Sequence, residues 1–216
     1  MPLVVGVVFL LVVIILVDMT ALLAIGAGVV LAASAGLRAF LPLFAAGAAS
    51  RALGWDLANE MQWLASNTAL TVFGIASLLE VAADKIPVVD HVLDAIHTVV
   101  GPIAGAVAGL TAWLNLPPSV AATLAIVVGA PIAGGVHLLA ATTRLKSTAV
   151  SGGTLNPVAS TAEDGVTLTA IAVAILAPLL ALAVSVLLIV LVVRFAVRRF
   201  RRPARPSSPS GPLAGR

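Results

Sequence analysis

Glu80 and Asp84 stand four residues apart in a stretch made mostly of leucine, valine and alanine. On a helix that spacing puts both carboxylates on one side, with Cβ atoms about 6 Å apart. Two such groups can share a proton or ligate a hard cation through oxygen. A charged carboxylate at the centre of a membrane helix costs about 2.5–3.5 kcal/mol on insertion scales, so it is expected to face a partner or a wet cavity. Glu80 lies one turn deeper than Asp84, beside Leu78 and Leu79, and its expected partner is Arg38 or Arg144. Asp84 and Lys85 can equally sit at an interface, where solvated charges need no partner.

Asp90, Asp94 and His97 follow the spacing i, i+4, i+7, with His91 three residues before Asp94. A carboxylate and imidazole row of this kind is a candidate site for a divalent transition ion or a proton relay. The plainer reading is an interfacial amphipathic helix over 90–99 with Asp90 as its N-cap. Further along, Ser160-Thr-Ala-Glu163 reads as a capping box for the final helix, with Asp164 favouring its positive end. Asn156-Pro157 reads first as a turn and secondly as a ligand position. His137, near Gly134 and Gly135, reads as a packing histidine before a proton site.

These residues stand out because the chain around them is so apolar. Of 216 residues, 61% are hydrophobic, 10% are charged and none is cysteine. A soluble domain averages roughly 45–50% apolar and 25% charged, so the composition suits lipid. It excludes a disordered regulator, a disulfide-stapled domain and a cysteine-ligated metal protein. Seven of the twelve basic residues fall in the last 23 positions, leaving five basic and nine acidic groups over residues 1–193. The net charge of +3 therefore describes a tail, and no nucleic-acid partner is expected.

A bilayer core about 30 Å thick needs roughly 20 apolar residues of helix. The spacing of breaks predicts one long tilted helix over 3–35, a short helix over 38–52 and a polar aromatic segment over 53–67. A span over 69–83 ends at Asp84-Lys-Ile-Pro87. The helix over 90–99 precedes a span over 100–114, which can cross or re-enter. Ser119 is expected to cap a run to Ala141, residues 144–164 to form a polar loop, and 166–193 to be the last span. A start at Met19 would remove Asp18 from mid-span, and Ala33-Ser34-Ala35 resembles a signal cleavage site without the basic region that should precede it. Whether residues 1–18 belong to the mature protein is left open.

Five arginines between 194 and 202 follow the last span directly, which predicts a cytoplasmic C-terminus and a basic, Pro/Ser-rich flexible tail over 194–216. Counting back, Arg38, the 80–97 segment and the 144–164 segment fall near one outer face, while Trp55, Trp63 and Trp113 fall near the cytoplasmic interface. Gly101, Gly105 and Gly109 leave one helix surface nearly bare, fit for a contact within the chain or for a homodimer.

Three ordered motifs, Gly36-Leu-Arg-Ala-Phe-Leu-Pro42, Glu80-x-x-x-Asp84-Lys-Ile-Pro87-x-x-Asp90-x-x-x-Asp94 and Asn156-Pro-x-x-Ser160-x-x-Glu163-Asp164, carry a resemblance. From about Leu22 to Arg194 the chain resembles the bacterial membrane family called domain of unknown function 4126. The resemblance implies an integral membrane protein of prokaryotes and supplies no activity.

The expected architecture is all-α, a polytopic helical bundle of about five to seven helices in the cytoplasmic (inner) membrane, with the lipid bilayer as its partner. The leading functional expectation is a small ion-coupled transporter or channel-like protein. Its polar site would draw on Arg38, Glu80, Asp84, Lys85, Asp90, Asp94, Arg144, Asn156, Glu163 and Asp164. Protons or a divalent cation would couple, with Asp90, Asp94 and His97 as the metal candidates and no other cofactor. The alternative is a non-transporting scaffold or lipid-interacting protein whose charges are structural. An enzyme is not expected, because no Ser/His/Asp or multi-histidine arrangement lies on the spans.

Overall fold

A computed structural model describes the backbone of residues 19–84, 87–113, 116–152 and 154–200, and the side chains of these except 87–94, 192–193 and 195–200. Among the described residues there are eight α-helices and no strand: α1 (Met19–Ala35), α2 (Leu41–Leu53), α3 (Asn67–Ala83), α4 (Pro87–Ala112), α5 (Pro118–Leu124), α6 (Ala130–Ser151), α7 (Asn156–Leu176) and α8 (Pro178–Phe200). A 3₁₀ segment, Asn59–Ala65, precedes α3, and a π turn, Ala125–Gly129, joins α5 to α6. The expected all-α bundle is the fold found.

Among the described residues, three stretches are long and apolar enough to cross a membrane: Ala95–Ala112, the continuous run Pro118–Ser151, and Asn156–Leu176. The 3₁₀ segment and α3, bent by 71° at Ser66, make a fourth if they count as one broken span.

The helices are built inside out, as lipid requires. In α3 the buried residues are Ala69, Ser77 and Glu80, whereas Val72, Ile75, Leu78 and Leu79 are exposed. In α6 a stripe of Ala133, His137, Ala140 and Arg144 turns inward, with Leu138, Leu139 and Leu145 outside. An exposed leucine costs nothing in hydrocarbon, so polar groups gather where other protein groups can satisfy them.

Helix α1 is the hub. Every residue from Gly26 to Ala35 is buried, and the helix packs against α4, α6, α7 and α8. Its small residues permit that crowding: a Cβ on Gly26 would fall 2.5 Å from the Leu182 Cα. Without a hydrophobic effect between helices in lipid, such close backbone packing supplies the contact energy.

Several expected boundaries shift. The segments 90–99 and 100–114 form one helix, α4, because Gly101 keeps a right-handed φ and the helix runs on through Pro102. Ser119 is not a cap: Pro117 holds that position and Pro118 begins α5. The expected loop over 144–164 shrinks to the turn between Ser151 and Asn156, where Gly152 takes φ 63° and its N–H closes on the Thr148 carbonyl. Ser160 and Glu163 therefore lie within α7, and the capping box does not exist. The expected last span is two helices, because Pro178 interrupts it after Ala177, whose φ of −136° and ψ of 66° leave the helical region. Trp113 is not an interfacial residue. It is buried against Gly28 and Gly109, and its ring N–H points to the Ile25 carbonyl at 3.4 Å. Residues 3–18 of the expected helix over 3–35 and residues 201–216 of the expected tail over 194–216 lie outside the described residues, while 194–200 continue α8.

Candidate functional site

Three connections meet at one end of the bundle: the break between α1 and α2, the turn between α3 and α4, and the turn between α6 and α7. Each brings a polar side chain that the lipid-facing surface could not hold. Arg38, in the first break and outside the candidate spans, is fully buried. Its guanidinium donates Nη1 to Asp84 Oδ2, Nε to Asp164 Oδ1 at 2.6 Å, and Nη2 to Ser160 Oγ at 3.0 Å. Nη2 also reaches the Ser160 carbonyl at 3.3 Å. The rigid fork suits this task, because it offers five fixed donors to acceptors from two other elements. Burial by itself would lower the Arg38 pKa, but Asp84 and then Asp164 outweigh it and hold the group above the ordinary arginine value.

Glu80 does not pair with either arginine side chain. Its Oε1 accepts the Ala39 N–H at 2.7 Å and its Oε2 the Phe40 N–H at 3.2 Å. Those amides belong to the break itself, just ahead of α2, so the carboxylate holds the chain where no helical partner exists. His97 Nε2 lies 2.8 Å from the same Oε1, out of line for a straight hydrogen bond. The expected Arg38–Glu80 pair is thus replaced by Arg38–Asp84, with Glu80 on the neighbouring backbone. Asp84 is likewise no solvated interface residue, being only 4% exposed.

Arg144, also buried, comes within 3.1 Å of Glu163 through Nη2 and within 3.9 Å of Asp84 through Nη1. Asp84 therefore sits between the two guanidiniums. Among the described residues, the carboxylates of Asp84, Glu163 and Asp164 meet the guanidiniums of Arg38 and Arg144, and Glu80 lies beside them against His97. Only Glu163 and Asp164 keep partial exposure, at 13% and 17% of the side chain.

Asn156 stands apart from this network. Its Nδ2 bonds Thr148 Oγ1 at 2.9 Å and clasps the turn between α6 and α7. The side chains of Lys85, Asp90 and Asp94 lie outside the described residues, so the metal row with His97 rests on sequence spacing. Gly105 and Gly109 are consumed within the chain: a Cβ on Gly105 would fall 2.2 Å from Ala133 Cβ, and one on Gly109 2.8 Å from the Trp113 ring. A Cβ on Gly101 would meet nothing within 4 Å.

Ser160 takes a role the sequence did not suggest, and His137 is the packing histidine expected. Ser160 was assigned to a cap, although its i, i+4 relation to Asp164 puts both on one face. His137 packs edge-to-face on His97, with ring centroids 5.8 Å apart, and its Nε2 lies 3.5 Å from Thr98 Oγ1. An apolar cleft of about 220 Å³, lined by Thr20, Leu23, Trp55, Ala112 and Pro178 among others, contains none of the cluster residues.

Neither the curated proteins nor the solved structures contain a match to the chain. A family model described as a domain of unknown function (DUF4126) matches residues 23–198, which takes in every charged residue of the cluster. The chain, a membrane protein by its apolar helices, belongs to that family.

Proposed function

We propose that this protein is a small ion-coupled transporter or channel-like protein whose buried carboxylates form its cation-accepting site. The observation that carries the reading is the burial of two carboxylates, Glu80 and Asp84, at 2% and 4% exposure inside an otherwise apolar bundle. Negative charge held in a low-dielectric interior is expensive, and binding a proton or another cation relieves it. The proton is the favoured species. Both Glu80 oxygens already accept amide N–H groups and Asp84 Oδ2 faces a guanidinium, so the described oxygens converge on donors and not on a common cage for a hard cation.

The competing reading, a structural clasp in a scaffold or lipid-interacting protein, is favoured by the engagement of both guanidiniums and the full burial of Arg38. In either case we take the home to be the cytoplasmic membrane, with Arg194–Arg202 on the cytoplasmic side under the positive-inside rule. We assign the protein no enzymatic activity and no cofactor. Gly101, Gly105 and Gly109 are all buried, and we take the glycine stripe to serve contacts within the chain.

Reconstitution into sealed proteoliposomes separates the two readings. Under imposed proton or divalent-cation gradients, the wild type should carry proton flux above protein-free vesicles, and Asp84→Asn should reduce it. Flux at the protein-free level for both ions removes the transporter reading and leaves the clasp.

A further inference from the structure

We infer that Glu80 is loaded with protons along a file made of Thr98, His137 and His97. The inference rests on the proton-coupled reading and deepens it by naming the groups that carry the proton.

Thr98 is exposed and follows His97, which stands beside Glu80, so it lies at the level of the charged cluster. Its hydroxyl is 3.5 Å from His137 Nε2. His137 meets His97 edge to face, and His97 Nε2 stands 2.8 Å from Glu80 Oε1. Both imidazoles are at least 97% buried, on different helices, in a bundle whose lipid-facing positions are leucine, valine and isoleucine. Packing alone gives no reason for two adjacent imidazoles there, since an apolar ring would fill the space without burying polar nitrogen. Imidazole is the side chain suited to passing protons near neutral pH, because it accepts on one nitrogen and releases from the other.

The transfer balances simply. A proton reaching His97 on one ring nitrogen leaves from Nε2 to Glu80 Oε1, giving a carboxylic acid and a neutral imidazole. Rotation of the ring then restores the starting tautomer. Charge at Glu80 is also what grips the break before α2. Protonation turns one of its two acceptor oxygens into an O–H donor facing an N–H, which weakens the hold on Ala39 or Phe40. Loading would thereby free the segment that carries Arg38. Other elements bring further charged groups to this end of the bundle: Arg38 from the break, Asp84 from α3, Arg144 from α6, and Glu163 and Asp164 from α7. The side chains of Lys85, Asp90, His91 and Asp94 lie outside the described residues.

Acid-driven proton flux in proteoliposomes, read with an internal pH dye, tests the file. His97→Gln should abolish flux, while Thr98→Val and His137→Gln should slow it severalfold. Thr143→Val, exposed on α6, should leave it unchanged. Each sample is first checked for a monodisperse size-exclusion profile. If His97→Gln does not fold, the exposed Thr98→Val still decides. Wild-type flux that persists undiminished in folded His97→Gln and in Thr98→Val overturns the file and leaves the transporter reading standing. Wild-type flux no higher than in protein-free vesicles overturns both.

Discussion

Arg38 Nε lies 2.6 Å from Asp164 Oδ1, joining the break after α1 to the third turn of α7 across 126 positions of sequence. The same guanidinium holds Asp84, so one side chain ties three separate connections together. Burying such a network gives little net stability over an apolar core, but breaking it by removing one partner is costly.

Arg38→Ala should lower stability by about 3–5 kcal/mol, because it removes the buried guanidinium that Asp84 and Asp164 share. Arg38→Lys should recover only part of this, since an ammonium cannot reproduce the fork. Thermal unfolding in detergent reads both. Full rescue by lysine would show that the charge alone matters and the fork does not.

Glu80→Gln should loosen the entry to α2. A glutamine offers one oxygen where two amides need acceptors, and an orphaned buried donor costs about 1–3 kcal/mol. Hydrogen exchange at Ala39 and Phe40 should speed up in the variant while exchange in the middle of α1 stays slow. Unchanged exchange at both amides would refute the assignment of Glu80 as their anchor.

Gly105→Ala should destabilise by about 1–3 kcal/mol through overpacking against Ala133. Gly101→Ala meets nothing within 4 Å and should be neutral or gain up to about 1 kcal/mol of helix propensity. Melting temperatures of the two variants, measured side by side, check this. Equal losses would show that Gly101 is packed as tightly as Gly105.

Much of the cluster was legible because charge is so rare in this chain. Arg38, Glu80 and Asp84 interrupt apolar runs, Arg144, Glu163 and Asp164 bound the polar stretch 144–164, and the alternation of spans brings these segments to one end. The pairing was less legible. Glu80 binds backbone amides, which carry no sequence signature beyond the break between Gly36 and Pro42. The stretch 144–164 reads as a loop because its polar residues are dense, yet in lipid a polar stripe marks the inner face of a helix. Arg144 and Ser160 lie on such inner faces. Pro178 interrupts the last apolar run, but its composition continues on both sides and hides the break.

The most direct test of the carboxylate site compares wild type and Glu80→Gln in the same sealed vesicles, with folding of each sample verified beforehand. The account predicts acid-driven proton flux above the protein-free level for the wild type, and flux at that level for a folded Glu80→Gln protein. Equal flux from the two proteins, or a wild type indistinguishable from protein-free vesicles, would contradict it.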